Sequence, residues 1–279
     1  MYVSEIILIV SGLFLAGLIK GTTGIGYSTC AIPFLVASVG LKAAMAIVII
    51  PAIASNGAFI FNTAGLSIVV RRFWRFYGGI IPGIAVGAYA FYFVDPASAT
   101  QLLGWITLIY VALSVARPDI SLPPRFERAL ALPAGLINGV LTGLTGSQIL
   151  PLMPYMMALR LPAETQIQAV NLAVTLASVV MAASLLNSGL MTADLLVISV
   201  AGAIPALMGV AAGIRLRLYL SPHAFRQVTL GMLVIIGSVL AGHRPSDYAA
   251  TSTPHNLTQR IPVSTGEIVK TAPKPSTTD

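Results

Sequence analysis

The chain has 279 residues, 56% hydrophobic and only 9% charged, with a mean hydropathy of +0.88. A soluble domain carries about 25% charged residues, so this chain cannot cover itself with a solvated surface. The net charge of +7 does not point to nucleic acid, because the basic residues are scattered through short connections in the manner of cytoplasmic loops. One cysteine, Cys30, excludes internal disulfides and cysteine-cluster metal sites.

Many apolar runs approach the roughly 20 residues that cross a bilayer as helix. Runs such as "AAMAIVIIPAIASNGAFIF" are apolar on every side, unlike the short alternating segments of a transmembrane β-barrel. The predicted fold class is all-α, a polytopic transmembrane helical bundle in the lipid bilayer.

The first element covers Glu5–Val39. Its opening "MYVSEIILIVSGLFLAGLI" has no basic n-region, carries Glu5 and lacks a small-x-small cleavage site, so it reads as a retained span and not a secretory signal. The polar stretch "KGTTGIGYSTC", Lys20 to Cys30, interrupts it. At about 1.5 Å per residue this element would stretch to roughly 50 Å, against a hydrocarbon core of about 30 Å. It must therefore be a re-entrant hairpin, two short spans or a steeply broken helix. Three plainer spans follow, Ala43–Phe61, Phe73–Val94 and Ala97–Val115, and then the polar "RPDISLPPRFER". The second series is Arg128–Leu159, Ala163–Leu186, Ala193–Ile214 and His223–Leu240.

The two series repeat one another. "AGLIKGTTGIGYSTCAIPFL" is echoed by "AGLINGVLTGLTGSQILPLMP", with Gly17, Gly21 and Gly24 matching Gly135, Gly139 and Gly143 across one inserted residue. "GIIPGIAVGAYA" is echoed by "GAIPALMGVAAG", and "DPASATQLLG" by "SPHAFRQVTLG", in the same order. The predicted organisation is a first transmembrane repeat over 1–116, a linker over 117–127, a second repeat over 128–242 and a polar tail over 243–279. The tail is rich in Thr, Pro and Ser and is predicted to be disordered; its "NLT" is a glycosylation sequon by pattern only.

Loop charge predicts the topology. If each glycine-interrupted element enters and leaves on one side, Arg71, Arg72, Arg75, Arg117, Arg125, Arg128, Arg160, Arg215, Arg217 and Arg226 share a side, with Lys42 and the tail opposite. That is the arrangement the positive-inside rule prefers. The basic "VVRRFWRF" has the uncharged-to-acidic "NSGLMTAD" as its counterpart, and "FVDPAS" has the basic "RLRLYLSPHAFR". Such swapping predicts an inverted repeat, with both termini outside the cytoplasm.

Non-helical backbone at membrane depth is tolerated only where it is buried in protein or lines a cavity. Paired broken helices are the best sequence pointer to a transporter's binding site, and helix N-termini suit anions. The candidate substrate-binding residues are therefore Lys20, Thr22, Thr23, Gly24, Gly26, Tyr27 and Ser28 in the first copy. The second supplies Asn138, Thr142, Gly143, Thr145, Gly146, Ser147 and Gln148. Small residues at helical spacing also serve close helix packing, which competes as the explanation of the glycines. Lys20 has two readings: an intramembrane cation that attracts an anion, or a residue at a turn that snorkels to water. Asn56, Asn62, Gln166, Gln168 and Asn171 fit interhelical hydrogen bonding as well as substrate contact.

All nine acidic residues lie near span ends, in the linker or in the tail. Cation pumps and proton antiporters usually bury a carboxylate, and metal transporters want clustered His, Cys or acids. An anionic or neutral substrate is favoured. No Ser–His or His–Glu pairing can be placed at one depth, so an enzyme is not expected, nor is any cofactor or metal. Whether the chain forms a homo-oligomer is left open.

The motifs "GLIKGTTGIGYSTCAIPFL" and "GLINGVLTGLTGSQILPL" resemble the duplicated signature of the sulfite exporter TauE/SafE family, a Gly-x3-Gly-x2-Gly-x-Gly run followed by proline. Gly17, Gly21, Gly24, Gly26 and Pro33 carry the match, and the resemblance extends to about Leu240. It implies a bacterial inner-membrane permease associated with export of sulfite or small organosulfonates. Tyr27 and Ser28 stand where the family typically has further glycines, as do Thr145 and Ser147 around Gly146.

Overall fold

The computed structural model describes residues 3–61, 66–116, 121–219 and 222–242, and all regular structure among them is helical. The helices are α1 (Val3–Thr23), α2 (Tyr27–Val39), α3 (Leu41–Phe61), α4 (Leu66–Ala90) and α5 (Pro96–Ala116). They continue as α6 (Pro124–Thr145), α7 (Leu152–Ala158), α8 (Ala163–Asn187), α9 (Ala193–Leu216) and α10 (Pro222–Ala241). The predicted tail with its sequon, Arg117 of the linker and Asn62 lie outside the described residues.

Helices α1, α5, α8 and α9 are each long and apolar enough to cross a membrane. Their outward faces carry large apolar residues such as Trp105, Val197 and Ile204, all exposed. Such a surface suits lipid and not water. The five acidic residues described sit in a first helical turn (Glu5, Glu127, Glu164, Asp194) or just before one (Asp95). There the helix dipole favours negative charge.

Both glycine-interrupted elements fold back on themselves. Phe34 and Leu35 of α2 lie against Gly12 of α1, so these helices form a hairpin closed at Gly24–Gly26. Tyr155 of α7 donates to the Glu127 carbonyl of α6 at 3.0 Å, and Asn138 donates to the Gln148 and Leu150 carbonyls, which makes a second hairpin.

Glycine then decides which helices meet. Gly17 and Gly21 of α1 face Ala206, Val210 and Gly213 of α9, while Gly209 and Gly213 face Phe14 and Leu18. A Cβ on any of these four would collide with backbone carbonyl oxygen, so the two helices touch main chain to main chain. Gly79, Gly83 and Gly87 of α4 mesh in the same way with Gly135, Gly139 and Gly143 of α6. Residue numbers rise together along both pairs, so α1 runs parallel to α9 and α4 parallel to α6. By contrast, α3 and α8 run antiparallel: Met45 shares a cavity wall with Met181, whereas Asn56 and Asn171 meet at Lys20.

Three boundaries differ from the predicted ones by four residues or more, one being the end of α4 at Ala90 in place of Val94. Helix α4 begins at Leu66 and not at Phe73, because Val69, Phe73, Phe76 and Tyr77 bury one face while Arg71, Arg72 and Arg75 stay exposed on the other. An amphipathic turn therefore carries charge without leaving the helix. Helix α6 takes the last four residues of the predicted linker, with Pro124 in its first turn. Proline suits that position, since its missing N–H would have no intrahelical acceptor. Inside α3, Pro51 leaves the Ile47 carbonyl without its usual donor. The Ser199 hydroxyl of α9 donates to that carbonyl at 2.9 Å and accepts from Ile50 N at 3.2 Å, which mends the kink.

Candidate functional site

The Lys20 side chain is 1% exposed, although it lies in the last turn of α1. It does not snorkel. The ammonium donates to Asn56 Oδ1 of α3 and to Asn171 Oδ1 of α8 at 2.8 Å, and sits 5.5 Å from the centroid of the Phe59 ring. These partners are all neutral. Burying an ammonium costs several kcal/mol even after relaxation, and two amide carbonyls offset only part of that. Asn171 in turn donates to the Gly24 carbonyl at 2.9 Å and to Ile167 O at 2.8 Å, fastening the first turn to α8.

The turn itself follows from its glycines. Gly24 (φ +81) and Gly26 (φ +91) take left-handed conformations that L side chains rarely adopt. Gly26 precedes α2 with no side-chain cap, so no side chain answers the first N–H groups of that helix. The Thr22 hydroxyl donates to α1 carbonyls, and Thr23 holds Ile19 O at 2.8 Å and Ile25 O at 2.6 Å. These hydroxyls close the end of α1.

A small cavity of about 20 Å³ lies beside Lys20. Its walls include Gly26, Tyr27, Ser28, Asn56, Gln148 and Asn171. That is room for about one water. Six buried side-chain polar atoms have no partner among the described residues: Tyr27 Oη, Ser28 Oγ, Asn56 Nδ2, Asn138 Oδ1, Ser147 Oγ and Gln148 Oε1. All belong to the two glycine-interrupted elements or to the partner of Lys20. Each such group costs about 1–3 kcal/mol, so the four that line this cavity, on Tyr27, Ser28, Asn56 and Gln148, call for a ligand or water. A second, larger cavity of about 390 Å³ adjoins the first and shares Ile25, Gly26, Thr29 and Met153 with it. Thr23, Cys30, Tyr110, Ser114, Gln166 and Thr229 also line it.

The sequence-derived residues separate on this geometry. Lys20, Gly26, Tyr27, Ser28 and Gln148 line the small cavity. Gly24 lines neither cavity, its carbonyl accepting from Asn171 at 2.9 Å, and Thr23 faces the larger space. Asn138 pins the stretch after α6, Thr142 lies 2.7 Å from Asn138 O and 3.2 Å from Ser147 O, and Thr145 donates to Leu141 O at 2.7 Å. Gly146 (φ +72) packs on Met45 and Ile32, and Gly143 meets Gly87 and Ala88 in the α4–α6 interface. Ser147 is buried, its N–H 3.2 Å from Thr145 Oγ1. Thr22, Asn138, Thr142, Gly143, Thr145, Gly146 and Ser147 therefore build the breaks and line neither cavity. Asn56 and Asn171, left open by the sequence, converge on Lys20. Ser178, which accepts from Gln148 Nε2 at 3.2 Å, was not singled out. A serine in an apolar helix carries no signal of its own, and only its pairing shows it.

A model of the sulfite exporter TauE/SafE family matches residues 8–240. The chain belongs to that family. Neither curated proteins nor solved structures give a match to it. As a TauE/SafE member with several apolar helices long enough to span a bilayer, it is an integral multi-pass membrane protein of the transporter-permease type. Both glycine breaks, Lys20 and all the residues around it lie within the matched region.

Proposed function

We propose that this chain exports a small anion, sulfite or an organosulfonate, by alternating access around Lys20 in a bacterial inner membrane. The observation that carries this reading is a buried lysine whose hydrogen-bond partners among the described residues are neutral, Asn56 and Asn171, from two antiparallel helices. An anion would complete the neutralisation that the amides leave unfinished. The Tyr27 and Ser28 hydroxyls and the uncapped start of α2 supply donors suited to sulfonate oxygens. Specificity would rest on Tyr27 and Ser28 with Gln148 opposite.

The helix directions support an inverted-repeat frame. The parallel pairs α1–α9 and α4–α6 exchange equivalent helices between the halves, while α3 and α8 face each other antiparallel. In the positive-inside orientation both termini lie outside the cytoplasm. The larger cavity is then the approach from the arginine-bearing side, since Thr23, Ser114 and Gln166 all stand near helix ends on that side. Substrate would loosen the Lys20 links to α3 and α8, and the halves would rock about them.

Proteoliposomes loaded with radiolabelled sulfite, taurine or sulfoacetate test the reading. Saturable flux that unlabelled substrate stimulates from the opposite side is the expected outcome. Flux without counterflow would mean a channel, and no flux of any of these anions would leave a scaffold.

A further inference from the structure

A cavity of about 1060 Å³ lies apart from the one beside Lys20. It opens between the first turns of α4 and α6, and its walls carry Arg71, Arg72, Arg75, Arg125 and Arg128. Glu127 is the one acidic residue in that wall. It is already committed: Arg72 grips it through two hydrogen bonds of 2.8 and 3.0 Å. Four further arginines thus line one space in which no described carboxylate is left to answer them. Positive-inside bias asks for arginines near a helix end, but not for two parallel helices to aim them into a shared cavity.

Further along the same two helices, Ile81, Leu132, Leu136 and Ile137 are exposed on the outward faces, and Trp74 stands exposed in the cavity wall. Charge above an apolar strip, with tryptophan between, matches a headgroup above its acyl chains. A soluble phosphate would use the arginines and leave the strip unexplained. We propose that this cavity binds the phosphate headgroup of an anionic phospholipid, with a doubly charged diphosphatidyl headgroup fitting best. Its volume lies at the upper end of ligand pockets, and four open guanidinium groups offer two bidentate clamps. The lipid would seal the glycine-packed α4–α6 pair from the cytoplasmic side. This site is separate from the Lys20 cavity and does not depend on the transport reading.

Native mass spectrometry of the intact chain in detergent, titrated with cardiolipin, phosphatidylglycerol and phosphatidylcholine, tests it. Cardiolipin should bind tightest and phosphatidylcholine weakest. Arg71→Gln with Arg75→Gln, and Arg125→Gln with Arg128→Gln, should each weaken cardiolipin by roughly thirtyfold, about fivefold per arginine. Arg215→Gln with Arg217→Gln, which removes equal charge from the end of α9 outside the cavity, should cost less than about threefold. Where a double variant does not fold, the single Arg71→Gln and Arg128→Gln carry the test at about fivefold each. An equal loss in the α9 control, or equal binding of phosphatidylcholine, would overturn the proposal. So would inorganic phosphate that displaces cardiolipin at millimolar concentration and stabilises the wild type against heat but not the cavity variants, which would mark a soluble-phosphate site.

Discussion

The turn at Gly24–Gly26 is tied by its main chain to α8 in the other half of the chain, whereas the main chain between Gly146 and Pro151 is tied to its own helix α6. Asn171 of α8 fastens the first through the Gly24 carbonyl and the Lys20 ammonium. Asn138 of α6 fastens the second through the Gln148 and Leu150 carbonyls. Lys20 and Asn138 stand at the same place in the similar motifs "AGLIKG" and "AGLING". One became a cation that bridges helices α3 and α8, and the other a local brace. Similar glycine patterns thus carry, in the proposed reading, a binding role on one side and a structural role on the other.

That division makes sharp demands on substitution. Lys20→Gln should lower anion flux most, by up to about 100-fold, since hydrogen bonds to charged groups contribute as much as about 3 kcal/mol. Thermal stability should hold or rise, because a buried ammonium is removed. Loss of both flux and stability together would make Lys20 structural and erase the contrast. Asn138→Ala should do the reverse. It strands two buried carbonyls at a cost of about 2–3 kcal/mol, lowering the unfolding temperature while the KM for anion stays near wild type. A raised KM there would mean that the second break also binds.

Gly26→Ala and Gly146→Ala compare the turns alone. Both place an L residue at positive φ, which costs about 1–2 kcal/mol. A Cβ at Gly26 meets nothing within 4 Å, whereas at Gly146 it meets Met45 and Ile32 at 2.9 and 3.0 Å. Unfolding of the second variant should therefore come at lower temperature by the equivalent of about 1 kcal/mol. Equal effects would show that the first turn is packed as tightly as the second. The smallest change expected is Ser199→Ala, about 1 kcal/mol or less, from the unmended carbonyl at the Pro51 kink. Flux unchanged in that variant would separate the α3 kink from the Lys20 contact further along the same helix.

Much of this was legible in the sequence. The paired glycine breaks, the polar residues around them and the placement of acids at helix starts could all be read from residue types and order. Lys20 could not be decided, because a lysine at the end of an apolar run reads alike whether water or protein lies beyond it. Asn56 and Asn171 were equally ambiguous, being far from Lys20 in the chain. Gly143 was read with the site, though its spacing of four from Gly139 matches the run Gly79, Gly83 and Gly87, and the structure uses all of these in packing. Helix starts at Leu66 and Pro124 were masked by arginines that read as loop residues.

The interlocked glycines also constrain how the molecule is made. Gly17 and Gly21 dock on α9, which leaves the ribosome only after most of the chain has been synthesised. Until then the first helix sits in the membrane with its bare backbone face uncovered. The earlier half cannot finish alone, so α1 must be shielded by lipid or by the insertion machinery until its distant partner arrives. A chain truncated before Ala193 should accordingly be a substrate for membrane quality control, however complete its first five helices are.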